Sequence, residues 1–133
     1  MTDIHHIGVR VADIEKTVSV LTRAFGVEIR YDTTARSPRL RRIAYAMFGN
    51  CRLELIEDPE DPPAGNEQAV LDHIAIGTSD IVPAMRDLAS AGFESLDDHP
   101  RVAAFGNQVA AYDRDTFSGI KLHLVRERER KEP

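Results

Sequence analysis

Imidazoles and carboxylates are intermediate ligands suited to zinc, iron, cobalt, nickel or manganese. Four such side chains stand at related places in this sequence: His6, Glu54, His73 and His123. His6 opens the run His6-Ile7-Gly8-Val9-Arg10-Val11-Ala12-Asp13-Ile14. His73 opens a second run, His73-Ile74-Ala75-Ile76-Gly77-Thr78-Ser79-Asp80-Ile81, 67 residues further on. Leu53-Glu54-Leu55 is answered in the same order by Leu122-His123-Leu124, and Phe25-Gly26-Val27-Glu28 by Ala91-Gly92-Phe93-Glu94. Landmarks repeated in one order at nearly one spacing are the mark of an internal duplication. The duplication pairs one candidate ligand with another: His6 with His73, and Glu54 with His123.

The elements that position these residues follow from local pattern. Residues 4–11 are short and β-branched and read as a strand. Asp13 offers an N-cap, after which Ile14, Val18, Leu21 and Phe25 recur at helical spacing until Gly26 stops the helix. Strands are expected at about 27–31, 41–48 and 51–57. The second copy gives a strand at 71–77 and a helix at about 80–91, capped by Ser79 or Asp80 and closed by Gly92, with Pro83 accepted in its first turn. Strands near 93–96, 108–113 and 119–125 complete it. The order is βαβββ, twice, an α+β pattern.

Strand side chains alternate between faces. Ile7 and Val9 oppose His6, Gly8 and Arg10; Leu53 and Leu55 oppose Arg52, Glu54 and Ile56. Ile74 and Ile76 oppose His73, Ala75 and Gly77; Ile120, Leu122 and Leu124 oppose Lys121, His123 and Val125. The apolar faces are expected to meet the helices. The other faces then carry three imidazoles and a carboxylate, a costly burial unless something satisfies them, and a divalent metal does so directly. By the same parity His5 points to the helix side, His99 sits in a loop beside Pro100, and Cys51 joins Leu53 and Leu55 as a small hydrophobe.

The chain has 133 residues, 17 Lys+Arg against 22 Asp+Glu, a net charge of −5, 42% hydrophobic residues and 29% charged ones. This is the composition of an ordinary globular domain, and it excludes disorder and collagen-like structure. No apolar run approaches the ~20 residues of a membrane span, and no secretory signal pattern opens the chain. A single cysteine excludes an intrachain disulfide framework and fits a cytoplasmic location. The acidity argues against nucleic acid as the main partner. The expected organisation is one domain over 1–133: module one at about 3–57, a Pro-rich acidic linker at about 58–70, module two at about 71–126, and a charged tail at 127–133. Neither module of roughly 60 residues has much core alone.

The runs HHIGVRVADIE, LELIEDPE, LDHIAIGTSDI and SGIKLHLVRE resemble the vicinal oxygen chelate superfamily, the glyoxalase/bleomycin-resistance/dioxygenase group, from about Asp3 to Arg126. Within it, AFGNQVAAYDRDTFSGIKLHLV is similar to the corresponding stretch of methylmalonyl-CoA epimerases, and glyoxalase I enzymes share nearly the same ligand spacing. The resemblance implies tandem βαβββ modules forming a cup-shaped mixed sheet with helices on the outside. It implies a divalent metal ion (Zn, Ni, Co, Mn or Fe) held by His6, Glu54, His73 and His123, and a homodimer. One departure stands out. Both enzyme groups usually place a glutamate, ligand and proton carrier, where this chain has His123. The second glutamate that epimerases take from the third strand is also missing from Arg41-Arg42-Ile43-Ala44-Tyr45-Ala46-Met47. One carboxylate and three neutral imidazoles leave a divalent centre at +1 rather than neutral, which favours an anionic or enolate-like ligand.

The expected function is that of a metal-dependent isomerase, epimerase or lyase, acting on a small, anionic, oxygen-chelating carbonyl substrate by metal-stabilised enolate chemistry. His123 and Tyr45 are the candidate proton carriers. Arg10 and Lys121 share the inward parity and are the candidate substrate anchors. Arg36, Arg39, Arg41 and Arg42 form a basic cluster that suits a coenzyme A phosphate or, better, a charge-protected edge strand. Two other readings stand beside this one. An extradiol-type iron dioxygenase would use His6, His73 and Glu54 as a facial triad. A resistance-type protein would bind a small molecule without chemistry.

Overall fold

The protein is described from a computed structural model, which covers residues 3–34 and 41–128. Arg36 and Arg39 of the basic cluster, and most of the charged tail, lie outside the described residues. Eight strands and two helices follow in the order β1 (Asp3–Val11), α1 (Ile14–Phe25), β2 (Glu28–Tyr31), β3 (Arg42–Met47), β4 (Arg52–Glu57), β5 (Ala69–Gly77), α2 (Ile81–Ser90), β6 (Arg101–Val102), β7 (Gln108–Ala111) and β8 (Leu122–Arg126). Short 3-10 turns stand at Ala104–Gly106 and Arg114–Phe117. The α+β class and the doubled βαβββ order are as the sequence implies.

Two compact units divide the chain. One is residues 6–73; the other runs from Ile74 onward and includes the start of β1. In the first, the strand order is β2-β3-β4-β1; in the second, β5-β8-β7-β6. Each has a mixed sheet. β1 runs parallel to β4 and β5 parallel to β8, while β2–β3, β3–β4, β6–β7 and β7–β8 are antiparallel. The duplication extends to register: Gly8 pairs with Glu54 as Ala75 pairs with His123.

In the first unit, α1 begins where Asp13 accepts a hydrogen bond from the Lys16 N–H at 3.1 Å, satisfying one of the helix's orphan donors. The first helical N–H, that of Ile14, donates to the Glu57 carboxylate at 3.1 Å. Gly26, at φ 62°, closes the helix with its N–H on the Thr22 carbonyl, a left-handed position that glycine adopts without steric cost. Ile14, Val18 and Leu21 pack on Val9, Val11, Ala44, Leu53 and Leu55, so the apolar strand parity does meet the helix. Phe25 departs from that stripe: it is 66% exposed, with its ring near Phe48.

In the second unit, Asp80 occupies the N-cap position of α2, but its side chain makes no capping bond. The helix ends in a Schellman arrangement, the Phe93 N–H on Leu88 and the Gly92 N–H on Ala89. Ile81, Met85 and Leu88 pack with Ile76, Ala110, Tyr112 and Leu124. Val125, Ala75 and Val109 form a second cluster.

The strand expected at 93–96 does not form; the sixth strand is only Arg101–Val102. One backbone bond remains, from the Leu96 N–H to the Ala111 carbonyl at 2.8 Å, and side chains make the others. The Ala111 N–H donates to the Asp97 carboxylate at 2.7 Å, and the Ser95 hydroxyl donates to the Ala111 carbonyl at 3.1 Å. Such local side-chain bonds compete with regular pairing. Arg42, the member of the basic cluster that lies in a strand among the described residues, is not on an edge, since β3 lies between β2 and β4, and it pairs with Glu15 of α1. The expected linker is folded in its first half. Asp58 and Pro63 are buried, and the Asp58 carboxylate and carbonyl accept from the Glu60 and Asp61 N–H groups.

Candidate metal centre

Three of the sequence-predicted ligands come together inside the first unit. His6 stands on β1, Glu54 on β4 and His73 on β5, and they are 3%, 7% and 4% exposed. The two imidazoles meet Nε2 to Nε2 at 3.0 Å. The Glu54 Oε1 lies 3.6 Å from the His6 Nε2 and 3.5 Å from the His73 Nε2. Ligands held at ~2.0–2.2 Å from one ion, at angles of roughly 90–110°, lie about 2.8–3.6 Å apart. The three edges of the triangle fall within that range. The donor set of two imidazole nitrogens and one carboxylate oxygen therefore fits a divalent transition metal in both chemistry and spacing.

Neighbouring residues hold the triangle. The His73 Nδ1 donates to the Asp72 carboxylate at 2.7 Å, which leaves Nε2 as the lone-pair side of the ring. Gly8 faces the same ring: a Cβ there would sit 2.3 Å from the His73 Cε1. Glycine is thus required on β1 for the imidazole to lie where it does. Burial pushes the Glu54 carboxyl up to about 7 against the pull of His73; Asp72 and Asp32 push the same way and Arg41 opposes them.

Tyr45 is buried on β3, in register with Glu54. Its ring centre lies 5.6 Å from that of His6, and the Arg52 guanidinium lies over it at 5.8 Å. Arg10 places its guanidinium against two carboxylates, Asp61 at 2.8 Å and Asp72 at 3.1 Å. His123 belongs to the second unit, half-buried on β8 between Ala75 and Ala111. Lys121, just before β8, is half-buried, and its carbonyl accepts from the Ile74 N–H. His5 lies 3.3 Å from Glu127. Cys51 is half-buried, its thiol directed at the Arg52 carbonyl. His99 lines a surface cleft of about 300 Å³ beside α2 with Met85, Arg86 and Asp97. Asp72 is not among the residues that the sequence pattern singles out. Its signal is an acid directly before a candidate histidine ligand.

The family model of the Glyoxalase/Bleomycin resistance protein/Dioxygenase superfamily matches residues 5–112. The chain belongs to this superfamily. Among curated relatives, the mitochondrial methylmalonyl-CoA epimerase of Mus musculus is 23% identical over 127 residues, covering 91% of this chain and 71% of the mouse protein. A methylmalonyl-CoA epimerase solved with methylmalonyl-CoA and NH4+ superposes with a TM-score of 0.83 at 25% identity, over 100% of this chain and 99% of that one. A single-residue variant of the Streptomyces coelicolor methylmalonyl-CoA epimerase, bound to 2-nitronate-propionyl-CoA, gives a TM-score of 0.81 at 25% identity, covering 95% and 97% of the two chains. The superfamily resemblance and the likeness to epimerases expected from the sequence are both present.

Proposed function

We propose that this superfamily member is a metal-dependent isomerase or epimerase that moves a proton next to the carbonyl of a small anionic substrate, an acyl-CoA thioester being the class that the relatives' ligands suggest. The observation that carries the reading is the buried His6–Glu54–His73 triangle, with edges of 3.0, 3.5 and 3.6 Å. A divalent metal bound there would supply Lewis acidity toward the substrate's carbonyl oxygen.

The chain's own residues supply the rest. His6, Glu54 and His73, all in one unit, would hold the ion; His123 repeats Glu54 in register. β3 carries no carboxylate within Arg42–Met47, so in this reading proton transfer falls to the Tyr45 hydroxyl or to His123, the latter only when its imidazole does not ligate the metal. An imidazole near neutral pH is a competent base; a tyrosine hydroxyl serves better as an acid, returning a proton. Lys121 is the proposed anchor for the substrate's negative charge. Arg10, the other candidate anchor, can share that role only from a guanidinium already turned to Asp61 and Asp72.

The test is metal analysis of protein purified without chelator, followed by incubation of the metal-loaded protein with methylmalonyl-CoA, propionyl-CoA or a 2-oxo acid in deuterium oxide. Stoichiometric metal and deuterium entering the carbon next to the carbonyl support the reading; its failure is a wild-type protein with no affinity for divalent metals. The two-imidazole, one-carboxylate set inside one unit also fits an iron facial triad. Oxygen uptake with a catechol on the iron-loaded protein, with no deuterium exchange, would assign the chain to that chemistry instead.

A further inference from the structure

We infer that Asp72 is a positioning residue. It locks the proton of His73 on Nδ1, so that Nε2 presents a lone pair to the metal. The inference rests on the metal-site reading above and goes further, because it separates the two histidine ligands. Asp72 accepts from the His73 Nδ1 at 2.7 Å through one carboxylate oxygen. Its other oxygen lies 3.1 Å from the Arg10 Nε. Arg10 is held in turn by Asp61, whose carboxylate and carbonyl lie 2.8 and 3.0 Å from its Nη1. The turn at Asp58 places Asp61. The folded linker is therefore connected to one imidazole through hydrogen bonds at Asp61 and His73 and, between Arg10 and Asp72, an ion pair in which the Arg10 Nε makes no hydrogen bond.

The ring is restrained on its other side by β1, where even a methyl group at Gly8 would overlap it. Rotation or flipping of His73 thus breaks a short bond or meets backbone. Carboxylates that accept the remote N–H of a ligating imidazole fix its tautomer and raise its basicity.

His6 is built differently. The duplicated position before it is His5, not an acid, and His5 turns to Glu127. With the His73 proton on Nδ1, the Nε2-to-Nε2 approach of 3.0 Å requires His6 to be the donor in the metal-free protein. His73 is then the pre-set ligand. His6 is the one whose ring must change its tautomer before its Nε2 can face a metal.

Two measurements on the full-length chain test this. The first is the ring nitrogen-15 spectrum of the metal-free protein at pH 8, in wild type and Asp72→Asn. The expected wild-type pattern is His73 protonated on Nδ1 and His6 on Nε2. In Asp72→Asn, a near-isosteric amide whose NH2 group can turn toward the ring, His73 becomes a mixture of tautomers. The second is zinc affinity by competition titration, with a loss of about 10–100-fold expected in Asp72→Asn and Asp72→Ala and a smaller loss in Arg10→Gln. The inference is overturned if wild-type His73 carries its proton on Nε2, or if Asp72→Asn keeps the wild-type tautomer and affinity. A wild type that binds no zinc while His73 stays locked by Asp72 would instead remove the functional reading and leave the positioning role in place.

Discussion

At the scale of single residues, the three buried groups of the triangle should be separable from the groups around them. His6→Ala, Glu54→Ala and His73→Ala each delete a donor from the triangle. Each is expected to cost more zinc affinity than the roughly 10–100-fold typical of an outer support such as Asp72, read by competition titration. Gly8→Ala is the sharpest steric probe, because its methyl would stand 2.3 Å from a ring atom of His73. The ring must move, so the variant should lose metal affinity and about 1–3 kcal/mol of stability in urea unfolding. The convergence of His6, Glu54 and His73 is legible in the sequence because a strand has a period of two and the duplication marks equivalent places. Asp72 is not, since parity assigns it to the face opposite His73. Only the reach of its carboxylate along the strand brings it to the Nδ1.

At the scale of elements, what can be read is whatever rests on local chemistry. The caps and stops of α1, the Schellman end of α2 and the packing parity of β1, β4 and β8 all follow from residues a few positions apart. Sequence pattern fails where distant side chains intervene: Asp97 and Ser95 bond Ala111 from 14 and 16 residues away and replace a strand that β-propensity alone predicts. The two helix starts give a paired prediction. Asp13→Ala removes an observed capping bond and should cost about 1 kcal/mol. Asp80→Ala removes none and should change stability by no more than a few tenths of a kcal/mol, both by urea unfolding. The core under α2 holds a third case. Tyr112 is 1% exposed, and its hydroxyl has no hydrogen-bond partner among the described residues. A buried, unpaired hydroxyl carries a desolvation cost of about 1–3 kcal/mol. Tyr112→Phe, which keeps the ring against Phe117, is therefore expected to raise the stability by about 1 kcal/mol.

For the whole molecule, the buried carboxylate links folding, pH and metal. Glu54 has its carboxyl raised from 4.5 to about 7, so the metal-free folded chain holds a proton that the unfolded chain has released. Stability from this group is therefore fully present below about pH 4.5 and is lost as pH rises through 7, a span worth about 3 kcal/mol. Other acids titrate over the same range, and the comparison that isolates Glu54 is wild type against Glu54→Gln in the presence of a chelator. The variant should gain on wild type steadily from about pH 4.5 to about pH 7.5. Zinc reverses the sign. The ion needs the carboxylate and competes with its proton, so wild type should gain stability as pH rises. At a free zinc concentration about 100 times the dissociation constant, the gain should reach about 2.7 kcal/mol. Glu54→Gln, with its charge removed, should gain far less. Urea unfolding of both proteins at three pH values, with chelator and with zinc, reads out the crossing of the two pH slopes. Parallel slopes under the two conditions would mean that Glu54 does not meet the metal.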